Sequence, residues 1–182
     1  MNSRDKRFVK SETAIFESYR KSIKKGSIYL SPTKLAKMAK ISRSTFRRHY
    51  KNPDDIYYKR KHNIVRKINR NLKRIAKDQK VSDRAIIKYL LIEFYSNKDF
   101  FEIDISQCNC QATLAIFSCI PLKNLAKKNK FEKALFPHEA VAIIKKWKDK
   151  GFSVDFLGAV HEAVVLLSQA TYKNRLESSL FF

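Results

Sequence analysis

The 182-residue chain is predicted to be all-α, and three features of its sequence predict this. Glycine and proline are scarce, at 3 and 4 residues, so few positions would interrupt a helix. Apolar residues recur at intervals of three and four along most of the length, while no long stretch alternates with a period of two. Serines suited to helix N-caps, Ser31, Ser42, Ser82 and Ser153, stand just before several of these runs. The length suffices for one sizeable core or two small ones.

Taken in order, a first helix is expected over about residues 10–25, with Ile15, Tyr19 and Ile23 on one line and Gly26 ending it. Ser31 caps a second, short helix with Pro32 at its first position, and Leu35, Met38 and Ala39 form its apolar face. After a break at Lys40-Ile41, Ser42 caps a third helix. Along it Phe46 and Tyr50 point inward, and Arg43, Ser44, Thr45, Arg47, Arg48 and His49 are left for the outside. This pair reads as a helix-turn-helix with a basic, hydrogen-bonding face suited to a DNA major groove. A long helix over 53–77 follows, with Ile64, Ile68, Leu72 and Ile75 as a buried stripe on a basic rod whose other charges are mostly solvated.

From Val81 the composition changes. Ser82 caps a helix that is apolar nearly all round and therefore buried, with Ile86, Ile87, Leu90, Leu91, Ile92, Phe94 and Tyr95. Residues 101–105 are taken as a connection, 110–120 as a helix ended by Pro121, and a lysine-rich short helix or loop reaches Lys130. Pro137 is expected to start a helix that Gly151 stops, and Ser153 to cap the last one, with Phe152 and Leu157 stapled across the cap. In that last helix Phe156, Val160, Ala163, Leu167 and Ala170 repeat at four, three, four and three, the spacing of a helix-packing seam.

The net charge is +22, and it is unevenly placed. Residues 1–80 hold 25 Lys/Arg against 6 Asp/Glu, a balance of +19, and residues 81–182 hold 14 against 11, a balance of +3. Such a field attracts a polyanion, nucleic acid before any other. No broad apolar stripe faces a lipid surface, no run is long enough to cross a bilayer, and the N-terminus lacks the apolar stretch of a signal peptide. A cytoplasmic protein without membrane partners is expected. Cys108, Cys110 and Cys119 are then thiols rather than a disulfide framework, and their spacing matches no standard zinc pattern. No phosphate loop, nucleophile elbow or carboxylate pair in an apolar setting is present, so neither catalysis nor a cofactor or metal is expected. Glu93, Glu139 and Glu162 read as single solvated charges.

The stretch TKLAKMAKISRSTFRRHYKNPDDI resembles, without a gap, the helix-turn-helix pattern of the tetracycline-repressor (TetR) family of bacterial transcription regulators. The likeness covers about residues 10–60, helix one fitting with a one-residue shift before Gly26; beyond that it is architectural. It implies a three-helix DNA-binding domain over residues 1–55 and a helical regulatory and dimerisation domain over 56–182, in which 56–80 is the connecting helix. By matching positions, Arg43 and Ser44 touch base edges, Thr45 and His49 contact bases or phosphates, and Thr33 lies near a phosphate contact. Three positions depart from the pattern. Lys40 replaces the usual turn glycine, at a strain of about 1 kcal/mol. Arg47 stands where the family has a phosphate-binding tyrosine, and a guanidinium can make that contact or reach a guanine. Pro53 replaces a phosphate-anchoring lysine, a role left to Lys51 or Lys59.

The expected DNA-binding set is therefore Thr33, Ser42, Arg43, Ser44, Thr45, Arg47, Arg48, His49, Lys51 and Lys59. Phe94, Tyr95, Phe117 and Trp147 are candidates to line a pocket for a small hydrophobic effector, though apolar cores use the same residues. Trp147, Phe156, Val160, Ala163, Leu167 and Ala170 are candidates for a homodimer interface. The expected function is that of a homodimeric repressor on double-stranded DNA, relieved by an effector. The alternatives are a low-specificity architectural, replication-associated or mobile-element-associated DNA-binding protein without an effector, and an adaptor binding another protein through its C-terminal domain.

Overall fold

The computed structural model describes residues 3–27 and 30–170. All regular structure among them is helical: α1 (Ser3–Lys24), α2 (Pro32–Met38), α3 (Arg43–His49), α4 (Asp54–Ala76), α5 (Asp83–Ser96), α6 (Lys98–Gln107), α7 (Gln111–Phe117), α8 (Lys123–Ala126), α9 (Lys130–Asp149) and α10 (Leu157–Gln169), with a 3₁₀ turn at Val154–Phe156. The all-α expectation holds. Among the described residues no helix is long and apolar enough to cross a membrane. The chain divides into two compact units, Met1–Asn63 and Ile64–Phe182, and α4 contributes to both.

In the first unit, Ile15, Phe16 and Tyr19 of α1 meet Leu35 and Ala36 of α2, Phe46 and Tyr50 at α3, and Ile56 and Tyr57 at the start of α4; all are buried. α1 begins seven residues before the expected start at Lys10. Met38, expected inside, is exposed, and Ala36 takes its place in the apolar face of α2. The caps at Ser31 and Ser42 form as the sequence indicates, accepting from the Lys34 and Thr45 backbone N–H groups at 3.1 and 3.0 Å. Asp55 and Asn52 close the start of α4 reciprocally. The Asp55 carboxylate accepts from the Lys51 and Asn52 N–H groups, and Asn52 Oδ1 accepts from the Asp55 N–H.

In the second unit, α10 packs on α9 and α5, and α7 on α9 and α6. An aromatic cluster fills the centre, with ring centroids 4.0 Å apart for Phe94–Phe101, 5.8 Å for Phe94–Phe117 and 6.1 Å for Phe117–Phe136. Two buried carboxylates cap helices remote from them in sequence. Asp104 accepts from the Ala112 N–H, the Thr113 N–H and the Thr113 hydroxyl at 2.7–3.0 Å, which closes α7. Asp83 accepts from the Lys123 and Asn124 N–H groups, both at 2.8 Å, which closes α8.

Several sequence expectations are corrected here. Residues 101–105 are helical, inside α6, because Phe100, Phe101, Ile103 and Asp104 all turn into the core. Pro137 does not start a helix: α9 begins at a capping box of Asn129 and Glu132, and Pro137 sits buried within it. The apolar coat of α5 is incomplete, since Ile92 is exposed. Glu93 is not a solvated charge. It accepts from the Tyr89 hydroxyl at 2.9 Å and pairs with Lys67 at 3.1 Å, while Asn71 donates to Tyr89 at 2.9 Å. Glu162 is engaged as well, paired in a two-pronged contact with Arg84 at 2.5 and 2.7 Å.

Candidate functional site

The third helix presents a cationic face because its two large apolar residues are both used inside. Phe46 is fully buried and Tyr50 nearly so, their rings 6.0 Å apart, which turns Arg43, Ser44, Arg47 and Arg48 to solvent. Burial, then the neighbouring Glu12 carboxylate, pushes the Tyr50 phenol far above its ordinary range, so it stays protonated and donates to Glu12 at 3.3 Å. At the start of α3 the Ser42, Ser44 and Thr45 hydroxyls lie within 2.8–2.9 Å of one another through Ser42, and Arg48 donates to the Thr45 hydroxyl at 3.2 Å. These groups present hydroxyls and guanidiniums together, the donors that phosphates and base edges accept. Thr33 is exposed on α2.

The turn between α2 and α3 keeps its geometry without a glycine. Lys40 has φ +54°, the left-handed region, and two bonds close the helix end: Lys40 N–H to Lys37 C=O at 3.1 Å and Ile41 N–H to Ala36 C=O at 3.0 Å. That is a Schellman ending, which normally selects glycine at this position.

His49 corrects the expected set. It lies on the inner side of α3, about 7 % exposed, its Nε2 2.7 Å from the Ser11 hydroxyl and its ring centroid 4.0 Å from that of Phe8. Burial lowers its pKa below the ordinary imidazole value; Glu12 opposes this, and Lys59 and Arg48 add to it. His49 therefore fastens α1 to α3 and does not lie on the outer face expected of it. The physical reason is the early start of α1, which brings Arg7 and Phe8 alongside α3. A depression there is lined by Arg7, Phe8, Ser11, Thr45, Arg48 and His49. Arg7 is the basic residue of this face that the sequence expectations omit. The run Arg4, Lys6, Arg7, Lys10 in phase with Phe8, Ser11 and Ile15 was the available signal.

Lys51 is exposed at the entry to α4. Lys59 is partly committed within the unit: its Nζ is 3.7 Å from Glu12 and sits over the rings of Tyr50 and Phe8 at 5.2 and 5.7 Å. A lysine so placed is less free for a phosphate than Arg43 or Arg47.

In the second unit three of the four effector candidates, Phe94, Phe117 and Trp147, are buried by packing. Phe94 and Phe117 belong to the central aromatic cluster, and Tyr95 is half-buried under Lys98 at 5.1 Å. Trp147 is 1 % exposed, donates from Nε1 to the Ser153 C=O at 2.8 Å and meets Phe152 edge-on at 5.1 Å. It is accordingly removed from the interface set too. Val160 is buried against its own unit, Ala163, Leu167 and Ala170 are half-buried, and Phe156 is exposed. Among the described residues, the large apolar side chains exposed on and beside α10 are Val154, Phe156 and Leu166. A shallow groove lined by Leu91, Val154, Leu157 and Gly158, with Lys88 and His161 at its edges, runs between α5 and α10.

The three cysteines are separately placed. Cys110 is buried at the start of α7, where burial raises its thiol pKa, Cys108 is half-buried and Cys119 is exposed. Among the described residues no three His, Cys, Asp or Glu side chains are grouped to hold a metal ion. Comparison with protein-family models, with curated proteins and with solved structures found no match to this chain.

Proposed function

We propose that the chain is a homodimeric, sequence-specific DNA-binding transcription regulator of the tetracycline-repressor type, with α2 and α3 as its helix-turn-helix. The observation that carries this reading is the division of α3 into a buried side, Phe46, His49 and Tyr50, and an exposed side holding three arginines. A solvated helical hairpin would need no such concentration of guanidinium at one short helix. The field of the first 80 residues supports it by drawing a polyanion to the same part of the chain. Dimerisation is supported by the exposed apolar residues beside α10, Val154, Phe156 and Leu166. The effector is not carried forward on Phe94, Phe117 and Trp147, because the core occupies them.

The deciding experiment is selection of binding sites from a random duplex library with the purified protein. A regulator of this kind enriches a palindromic site whose half-sites lie about one DNA turn, 34–36 Å, apart or a multiple of it. It also prefers that site over random DNA by roughly 10³ or more at physiological salt. Arg47→Ala is expected to cost about 1–3 kcal/mol of binding to the selected site. Enrichment of no sequence at all would favour the second reading, a low-specificity DNA-binding protein, which the run of lysines and arginines without an acidic residue between Asp55 and Asp78 supports.

A further inference from the structure

Between Asp55 and Asp78 the sequence has no acidic residue. In the second unit this gives α4 a single-signed ridge. Arg66, Arg70, Lys73 and Arg74 are exposed, Lys77 follows at the helix end, and together with Asn69 they line one shallow depression. At 3.6 residues per turn these positions fall within an arc of about 140°. The buried Ile64, Ile68 and Leu72 lie on the opposite side of the helix. With a rise of 1.5 Å per residue the cations extend over about 16 Å.

Among the described residues none of these five cations has an acidic partner; Lys67, at the edge of the arc, is the neighbour that has one, on Glu93. Arg66 and Arg70, Arg70 and Arg74, and Lys73 and Lys77 are like-charged pairs four residues apart, an arrangement that works against the helix carrying it. Packing of the apolar side holds the ridge together despite this, and the charge is left for something outside the chain.

We propose that this ridge is a second nucleic-acid surface, separate from α3, which grips the phosphates of a duplex without reading sequence. A duplex offers one negative charge per about 1.7 Å of axis, so several phosphates lie within the length of the ridge. Three of its five cations are arginines, which take phosphate oxygens two at a time. The arc contains no aromatic or aliphatic side chain, so it lacks the buried anchor of a protein–protein interface. It equally lacks the apolar face that an interfacial membrane helix inserts, since that face of α4 is inside the unit. The inference does not require α3 to recognise a sequence.

Equilibrium binding of the full chain to a random-sequence duplex, over about 50–200 mM salt, tests it. Each neutralised phosphate contributes about 0.9 to the slope of log affinity against log salt. The variant Arg70→Gln/Lys73→Gln/Arg74→Gln/Lys77→Gln is therefore expected to flatten that slope by about 3–4. The same four changes are expected to do so in an Arg43→Ala/Arg47→Ala background, where site preference is lost. An unchanged slope, or no binding of random duplex by the wild type, overturns the proposal. So does a variant that loses binding to vesicles containing phosphatidylserine while its duplex binding is unaltered. If the fourfold variant does not fold, Arg70→Gln and Arg74→Gln singly are each expected to lower the slope by about 1. A site preference lost only with the α3 changes and a slope lost only with the ridge changes separates this surface from the function proposed above.

Discussion

His49 shows how one side chain of α3 is drawn to the inner side of its helix. Its neutral ring bonds to Ser11 and packs on Phe8, and burial disfavours its charged form. The unfolded chain binds the proton first as the pH falls through the ordinary imidazole value of about 6.5. Stability is therefore full above that pH and declines below it, down to the lowered folded-state pKa. His49→Gln is expected to reduce the loss of urea resistance between about pH 7.5 and pH 5.5. Equal losses in wild type and variant would show that another group is responsible. Lys40 offers a second test at this scale, since it holds a left-handed backbone that glycine adopts without strain. Lys40→Gly should stabilise the first unit by up to about 0.6 kcal/mol, the strain of about 1 kcal/mol relieved less the added freedom of the unfolded chain. A thermal melt of the wild type and the variant measures it.

At the scale of elements, what could be read from the sequence was local. The caps at Ser31, Ser42 and Ser82 and three members of the expected stripe, Ile64, Ile68 and Leu72, involve residues three or four apart and formed as expected, whereas Ile75 is only half-buried and Ser153 caps the 3₁₀ turn instead of α10. The inward pair Phe46 and Tyr50 and the outward Arg43, Arg47 and Arg48 were readable for the same reason. What was missed depends on distance. Asp104 caps α7 from eight and nine residues away, and Asp83 caps α8 from forty, so no local pattern marks either helix start. Pro137 misled because proline favours first turns, yet the buried Phe136, Ala140, Ile144 and Trp147 outweigh the roughly 3 kcal/mol that an interior proline costs. His49 was misplaced because the length of α1 was. Asp104→Ala should cost more than about 2 kcal/mol, since three buried donors lose their acceptor. Chemical denaturation of the variant is the measurement, and a loss below that would mean that water replaces the carboxylate.

At the scale of the whole molecule, charge and exposed apolar surface are spread unevenly along the chain. Nearly all of the excess positive charge lies in residues 1–80, which take in the first unit and the α4 ridge of the second, while three exposed apolar residues, Val154, Phe156 and Leu166, lie on and beside α10. The proposed division of labour, polyanion at one end of the sequence and self-association at the other, predicts that the two properties separate on mutation. Leu166→Glu should shift sedimentation at micromolar concentration from dimer to monomer without altering the melting temperature of the first unit. A monomeric wild type under the same conditions, with no dimer on DNA, would remove self-association from the proposed function.

The chain contains a single tryptophan, and it is the one clasped between Ser153 and Phe152 at the end of α9. Its indole emission therefore reports the loosening of the second unit alone. Followed beside far-ultraviolet dichroism, which sums over all helices, it gives a label-free optical readout of whether the two units melt together or in sequence.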